Sequence, residues 1–122
     1  MQITGIDHVV VRVADLDRSI RFYCEVLGCR LEWRRDELLL AHLRAGEAFV
    51  DLLAGQPLAT GSERNMDHLC LTVNDFEIGK VRDHLLARGI EVGSAAERFG
   101  ASGWGQSLYL VDPDGNGIEL RG

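Results

Sequence analysis

Asp7-His8-Val9-Val10-Val11-Arg12-Val13-Ala14-Asp15-Leu16 returns sixty residues later as Asp67-His68-Leu69-Cys70-Leu71-Thr72-Val73-Asn74-Asp75-Phe76. The Asp-His pair, the alternating apolar residues and the closing Asp-apolar pair coincide at a single offset. A period near half of a 122-residue chain means two copies of one supersecondary unit, not a many-unit solenoid. Each copy carries a histidine at the same place in its first strand. A duplicated histidine in a fold with internal two-fold symmetry is a natural way to build a metal site between the halves.

The rest of each copy follows from periodicity. Residues 6–13 alternate and are β-branched, which predicts a strand with His8, Val10 and Arg12 on one face and Val9, Val11 and Val13 on the other. Asp15 to Ser19 offers an N-cap, and Leu16, Ile20, Tyr23 and Leu27 keep helical spacing up to Gly28, a residue suited to the position just past a helix end. Strands are expected over 30–34, 38–43 and 48–53, with turns at Arg35-Asp36 and Arg44-Ala45-Gly46. Residues 54–66 lose periodicity and gather Gly, Pro, Ser and Thr, as a linker does. The second copy repeats the plan: a strand over 68–73, a cap at Asn74 or Asp75, and a helix through Ile78, Val81 and Leu85 to Gly89. Strands near 90–92, 106–111 and 117–121 complete it. Asp112-Pro113-Asp114-Gly115 is a turn in which proline fixes φ and glycine accepts a positive one. The expectation is an α+β domain of two βαβββ modules, 1–53 and 67–122, joined by the linker 54–66.

A formal charge of −6 and a pI near 5.1 argue against nucleic acid or an anionic membrane as the main partner, since both need a basic footprint. No apolar run reaches the roughly 20 residues that span a bilayer, and the chain enters a strand pattern with no expected leader. Three cysteines (Cys24, Cys29, Cys70) without a CxxC pair read as reduced thiols of a cytoplasmic protein.

The last strands of the two modules also correspond. Phe49-Val50-Asp51-Leu52-Leu53 matches Gly117-Ile118-Glu119-Leu120-Arg121, with Asp51 opposite Glu119. If Val50, Leu52, Ile118 and Leu120 pack under the helices, Asp51 and Glu119 face the other way, with His8 and His68. Two imidazoles and two carboxylates suit one divalent ion (Zn, Ni, Co, Mn or Fe(II)) and leave positions open for water or substrate. Two ionised carboxylates facing inward repel each other and lose hydration unless a cation joins them. His84 falls on the exposed side of its helix, and His42 is either solvated or a second donor behind the site. Cys70 shares a face with His68 and lines the pocket. Arg12 and Arg121 share the inward face and either grip an anionic group or stand exposed near strand ends. Phe49 and Tyr109 are expected to line the cavity. Residues 100–105 (GASGWG) are either a lip carrying Trp104 over the mouth or a plain loop.

The opening from His8 to Gly28 and the ending Asp112 to Leu120 (DPDGNGIEL) resemble the vicinal oxygen chelate superfamily over essentially the whole chain. That group includes glyoxalase I, methylmalonyl-CoA epimerase, extradiol dioxygenases and the fosfomycin- and bleomycin-resistance proteins. The resemblance implies paired βαβββ units closing into an open eight-stranded, barrel-like sheet around a metal, usually in a homodimer, with a small-molecule substrate. By position, His8 and His68 match the ligands on the first strands and Glu119 the C-terminal carboxylate ligand. Asp51 stands where glyoxalase I has glutamate and the epimerase glutamine. Aspartate retracts its carboxylate by about 1.5 Å, and a 1 Å misplacement can cost about 100-fold in rate. Asp51 is therefore a ligand, a proton carrier alongside Glu119, or the holder of a bound water. The resemblance implies a glyoxalase-type lyase or isomerase; an Fe(II) extradiol-type dioxygenase and a non-catalytic drug-binding resistance protein are the alternatives.

Overall fold

The computed structural model of the protein describes residues 1–59 and 63–122, so part of the expected linker, 60–62, lies outside the described residues. The chain divides into two compact units, Met1–Glu63 and Arg64–Gly122.

The first unit runs β1 (His8–Arg12), α1 (Leu16–Arg21), β2 (Arg30–Arg35), β3 (Leu40–Ala45) and β4 (Ala48–Leu53). Its sheet has the order β1-β4-β3-β2, with β1 parallel to β4 and the other pairs antiparallel. Alternation sends Val11, Ala41, Leu43, Val50 and Leu52 to one face, where they are buried beneath α1 with Leu16, Phe22 and Tyr23. Asp15 caps α1 as expected, its carboxylate accepting from the Arg18 amide at 2.9 Å. The helix does not hold its period: Phe22–Val26 forms a π-helical turn, with the Leu27 amide donating to the Phe22 carbonyl. Ser19 and Phe22 are buried while Ile20, before the widened turn, and Leu27, after it, are half-buried. Gly28 follows at φ +79°, as the C-terminal glycine reading expected.

The second unit runs β5 (His68–Thr72), α2 (Ile78–Leu86), β6 (Ala96–Gly100), β7 (Gly103–Val111) and β8 (Gly117–Arg121), with sheet order β5-β8-β7-β6. Leu85, Leu108, Leu110, Ile118 and Leu120 make its core. The βαβββ plan is thus present twice. The strand ladders form two four-stranded sheets, each with its own hydrogen bonds, and not one continuous eight-stranded ladder.

Several boundaries differ from the sequence reading. β3 begins at Leu40, not Leu38, because a single 3-10 turn, Asp36–Leu38, intervenes and ends on Leu39 at φ +51°. β2 carries an irregularity between Leu31 and Trp33 that breaks its alternation. The cap expected at Asn74 or Asp75 is absent: α2 starts three residues after Asp75, following Glu77, which has no side-chain cap bond. Residues 90–92 are not a strand. The Ile90 amide closes the end of α2 on the Leu85 carbonyl, and the third-from-last strand lies at Ala96–Gly100. The segment 100–105 is accordingly neither lip nor loop but the tip of the β6–β7 hairpin, with Gly100 paired to Gly103 and Phe99 to Trp104.

The DPDGN segment is a tied turn. Asp112, 3% exposed, accepts from the amides of Asp114 and Asn116 at 2.9 and 2.8 Å. Arg64 binds its outer side, donating to the carbonyls of Asp114 and Gly115 at 2.7 and 2.6 Å. The motif fixes where β8 begins, and hence where Glu119 falls.

Candidate functional site

In each sheet the face turned away from the helix is polar. On the second sheet it carries His68 and Cys70 from β5, Glu119 and Arg121 from β8, and Ser107 and Tyr109 from β7, as the registers Cys70–Glu119, Tyr109–Glu119 and Ser107–Arg121 require. Glu119 is 6% exposed and fully engaged. Ser107 Oγ donates to Oε1 at 2.5 Å, and His68 Nε2 lies 2.9 Å from Oε2. Burial pushes this carboxyl up, but the bonds from Ser107 and Tyr109 and the charge and bond of His68 outweigh it and hold it below the usual range.

The repeated Asp-His pair now has a reason. His68 Nδ1 is 2.6 Å from Asp67 Oδ1, and His8 Nδ1 is 2.6 Å from Asp7 Oδ1. A carboxylate on Nδ1 orients the ring and turns Nε2 away from the aspartate, the usual support for a metal-binding histidine. His8 is raised above its ordinary value, chiefly by the Asp7 hydrogen bond, against a smaller lowering by burial and with help from the charges of Asp51 and Asp7.

On the first sheet the polar face holds His8, Val10 and Arg12 (β1), Phe49 and Asp51 (β4), and His42 and Arg44 (β3). Asp51 is 5% exposed, and its Oδ1 lies 2.9 Å from His42 Nδ1. His42 stacks on Trp33, with ring centroids 5.8 Å apart, and meets Phe49 at 6.0 Å. His42 is half-buried against Asp51 and not simply solvated. The registers make it the counterpart of Tyr109: His42 pairs with Asp51 as Tyr109 pairs with Glu119.

The structure brings His68 and Glu119 into contact. Metal–ligand bonds to nitrogen and oxygen are about 2.0–2.2 Å, so two ligands at right angles around one ion stand about 3 Å apart, close to the 2.9 Å here. Among the described residues, no three His, Cys, Asp or Glu side chains converge on one point. Within the first unit His8 is bonded to Asp7 and not to Asp51, which it reaches only through charge.

The pocket residues divide. Cys70 bonds Glu119, and its thiol is pushed up by burial and by the Glu119 charge, with Arg121 opposing. Such a thiol lines a site; it is not an activated nucleophile. Phe49 and Tyr109 lie on the polar faces, as does Arg12. Trp104 does not: it alternates with Gly103 and Gly105, so it lies opposite Glu119's face and is 70% exposed against Phe99. His84 is exposed. A shallow cavity of about 470 Å³ lined by Gly28, Arg30, Arg44, Gly46 and Glu47 includes none of the expected site residues. Ser107 was missed; its signal is a lone hydroxyl in the apolar run Ser107-Leu108-Tyr109-Leu110, in phase with Tyr109.

Two βαβββ units, each presenting a histidine supported by aspartate and a buried carboxylate on its helix-free face, define an α+β protein of the paired-module kind. The chain belongs to the Glyoxalase/Bleomycin resistance protein/Dioxygenase superfamily, whose family model matches residues 5–120. It is 34% identical to virulence protein STM3117 of Salmonella typhimurium (strain LT2) over 98% of this chain and 85% of that one. The crystal structure of STM3117 superposes with a TM-score of 0.80 at 33% identity, covering 99% and 98% of the two chains. It is 32% identical to catechol-2,3-dioxygenase of Bacillus subtilis over 96% of this chain, which spans 41% of that protein's length. It is 29% identical to a probable lactoylglutathione lyase of Synechocystis over 93% of this chain and 91% of the relative. No helix among the described residues is long and apolar enough to cross a membrane.

Proposed function

We propose that this chain is a divalent-metal-dependent lyase or isomerase of glyoxalase type, acting on a small substrate that chelates through neighbouring oxygens. His8, His68, Asp51 and Glu119 are the proposed donors, serving one ion per site. The observation that carries the reading is the 2.9 Å approach of His68 Nε2 to Glu119 Oε2, with Asp67 fixing the other ring nitrogen. The full-length similarity to a probable lactoylglutathione lyase supports the reaction class. A bound divalent ion would supply Lewis acidity, favouring negative charge on a substrate oxygen as it develops.

The chain's own residues divide the remaining work. Glu119 is held ionised by Ser107, Tyr109 and His68, which makes it a poor base and a good ligand. Asp51 has one carboxylate oxygen on His42, and among the described residues no side chain donates to the other. In the proposed isomerisation Asp51 accepts the proton from the hydroxyl-bearing carbon beside the substrate carbonyl and returns it to the carbonyl carbon, while the hydroxyl proton passes to the former carbonyl oxygen, with no net gain or loss of atoms. His42 holds the carboxylate in place throughout. The protein works as a cytoplasmic homodimer, in keeping with three cysteines free of disulfides.

The similarity to catechol-2,3-dioxygenase favours a second reading, an Fe(II) dioxygenase using His8, His68 and Glu119. A non-catalytic drug binder is the third; the retained donors count against it. Purified protein loaded separately with Zn, Ni, Co, Mn or Fe(II) separates them. Turnover of a 2-oxoaldehyde–thiol adduct without oxygen uptake supports the isomerase. Oxygen uptake with a catechol and Fe(II) overturns it in favour of the dioxygenase, and tight drug binding with no turnover of either substrate favours the binder.

A further inference from the structure

Arg121 ends β8 on Glu119's face of the sheet. It is 5% exposed, yet no Asp or Glu side chain of the described residues stands within ion-pair distance of it. A guanidinium carries five N–H donors. Two are taken by main-chain oxygens: Nη2 donates to Gly103 at 2.8 Å, and Nε donates to Gly122 at 3.5 Å, the limit of a hydrogen bond. Nη1 has no acceptor among the described residues. Among those residues, no side-chain nitrogen or oxygen is both sealed from solvent and unbonded, so Nη1 keeps an opening to the outside. A cation withdrawn from water with neither a side-chain counter-charge nor a full set of acceptors opposes folding unless something else repays it.

The surrounding strands are cut back to admit the group. A Cβ on Gly100 would lie 2.0 Å from Nη1, and one on Gly105 would lie 3.0 Å from Nη2. The glycines that made 100–105 read as a loop are therefore tied to this side chain. Gly103 alone of the three needs its positive φ, +95°, for the turn. Arg98, paired with Gly105, adds a second positive charge to the same face. Arg121 and Glu119 are two residues apart on one strand, about 7 Å, the length of a chain of about five single bonds.

We propose that the Nη1 edge of Arg121, framed by Gly100 and Gly105, is the docking point for an oxyanionic group of the substrate, a carboxylate or a phosphoryl-type group, and that this protein therefore acts on anionic small molecules. A planar fork of donors suits such a group, which can take two parallel N–H bonds. That the rest of the substrate lies at Glu119 rests on the metal-site reading above; the anion site itself does not.

The test is thermal unfolding of the full chain as purified, at constant ionic strength, titrated with inorganic phosphate or with acetate. The wild type should show a saturable rise in Tm. Response to phosphate alone assigns a phosphoryl-type group; response to acetate alone assigns a carboxylate. Arg121→Gln should weaken the apparent affinity at least ten-fold. Gly100→Ala keeps the arginine but pushes the flexible end of its side chain aside, so it should fold and still weaken binding. His68→Ala should respond like the wild type. No response in the wild type overturns the proposal, as does an unchanged response in either Arg121→Gln or Gly100→Ala, which would leave the guanidinium as a pin for the hairpin. A response lost in His68→Ala but kept in the arginine variant also overturns it, by placing the anion at the metal donors and leaving the metal reading intact.

Discussion

Replacing Ser107 with alanine removes a single oxygen and leaves Glu119 otherwise in place. Ser107 is fully buried and Glu119 is 6% exposed, and their bond is short at 2.5 Å. A hydrogen bond to a charged group contributes about 1.5–3 kcal/mol, and burial of both partners places this one in the upper half, about 2–3 kcal/mol. With a typical urea slope of about 1–3 kcal/mol per M, the unfolding midpoint should fall by about 0.7–3 M at pH 7. The effect must depend on pH, and its sign is set by the lowered carboxyl. A folded-state value below the unfolded 4.5 contributes stability that is fully present above pH 4.5 and is lost as pH falls through the folded value. The difference between wild type and Ser107→Ala, measured by urea denaturation of metal-stripped protein, should therefore be large at pH 7 and shrink on acidification below pH 4.5. An equal difference at both ends of the titration would refute the reasoning, because Ser107 would then act through packing alone.

Two further substitutions probe different links. Asp67→Asn keeps the shape beside His68 but removes the charge on Nδ1; divalent-metal affinity should drop about 10- to 100-fold, measured by competition with a chromophoric chelator. An unchanged affinity would mean that the repeated Asp-His pair serves the turn and not the ring. Asp15→Ala removes the cap of α1 and should cost about 1 kcal/mol in denaturant unfolding with no change in metal affinity; a loss of metal affinity would show that α1 and the site are coupled.

The repeat at His8 and His68 was legible because a strand has period two, so one pair of equivalent positions fixes the facing of every other residue. Asp51 and Glu119 followed from the same parity, and both are buried on the predicted face. What escaped had tertiary causes. The π-helical turn after Arg21 shifts the residues that follow it, Leu27 among them, by an amount that no 3.6-residue period contains. Residues 90–92 have strand composition, yet Ile90 is spent closing α2. Gly100 and Gly105 look like loop residues because glycine commonly marks turns, whereas here they yield space to a side chain sixteen or more residues further along the chain. Ser107 was hidden, and the choice between the two readings of His42 left open, for a related reason: both depend on cross-strand register, His42 with Asp51 and Ser107 on the carboxylate of Glu119, and register is not written in either strand alone.

The most direct measurement is the metal content of the purified protein after metal-free dialysis and reconstitution, with His68→Ala and Glu119→Ala beside it. One divalent ion per site in the wild type, lost in both variants while they remain folded, is the expected result. An undiminished metal content in His68→Ala would contradict the account, and metal no higher than background in all three proteins would turn the search toward a non-catalytic small-molecule binder.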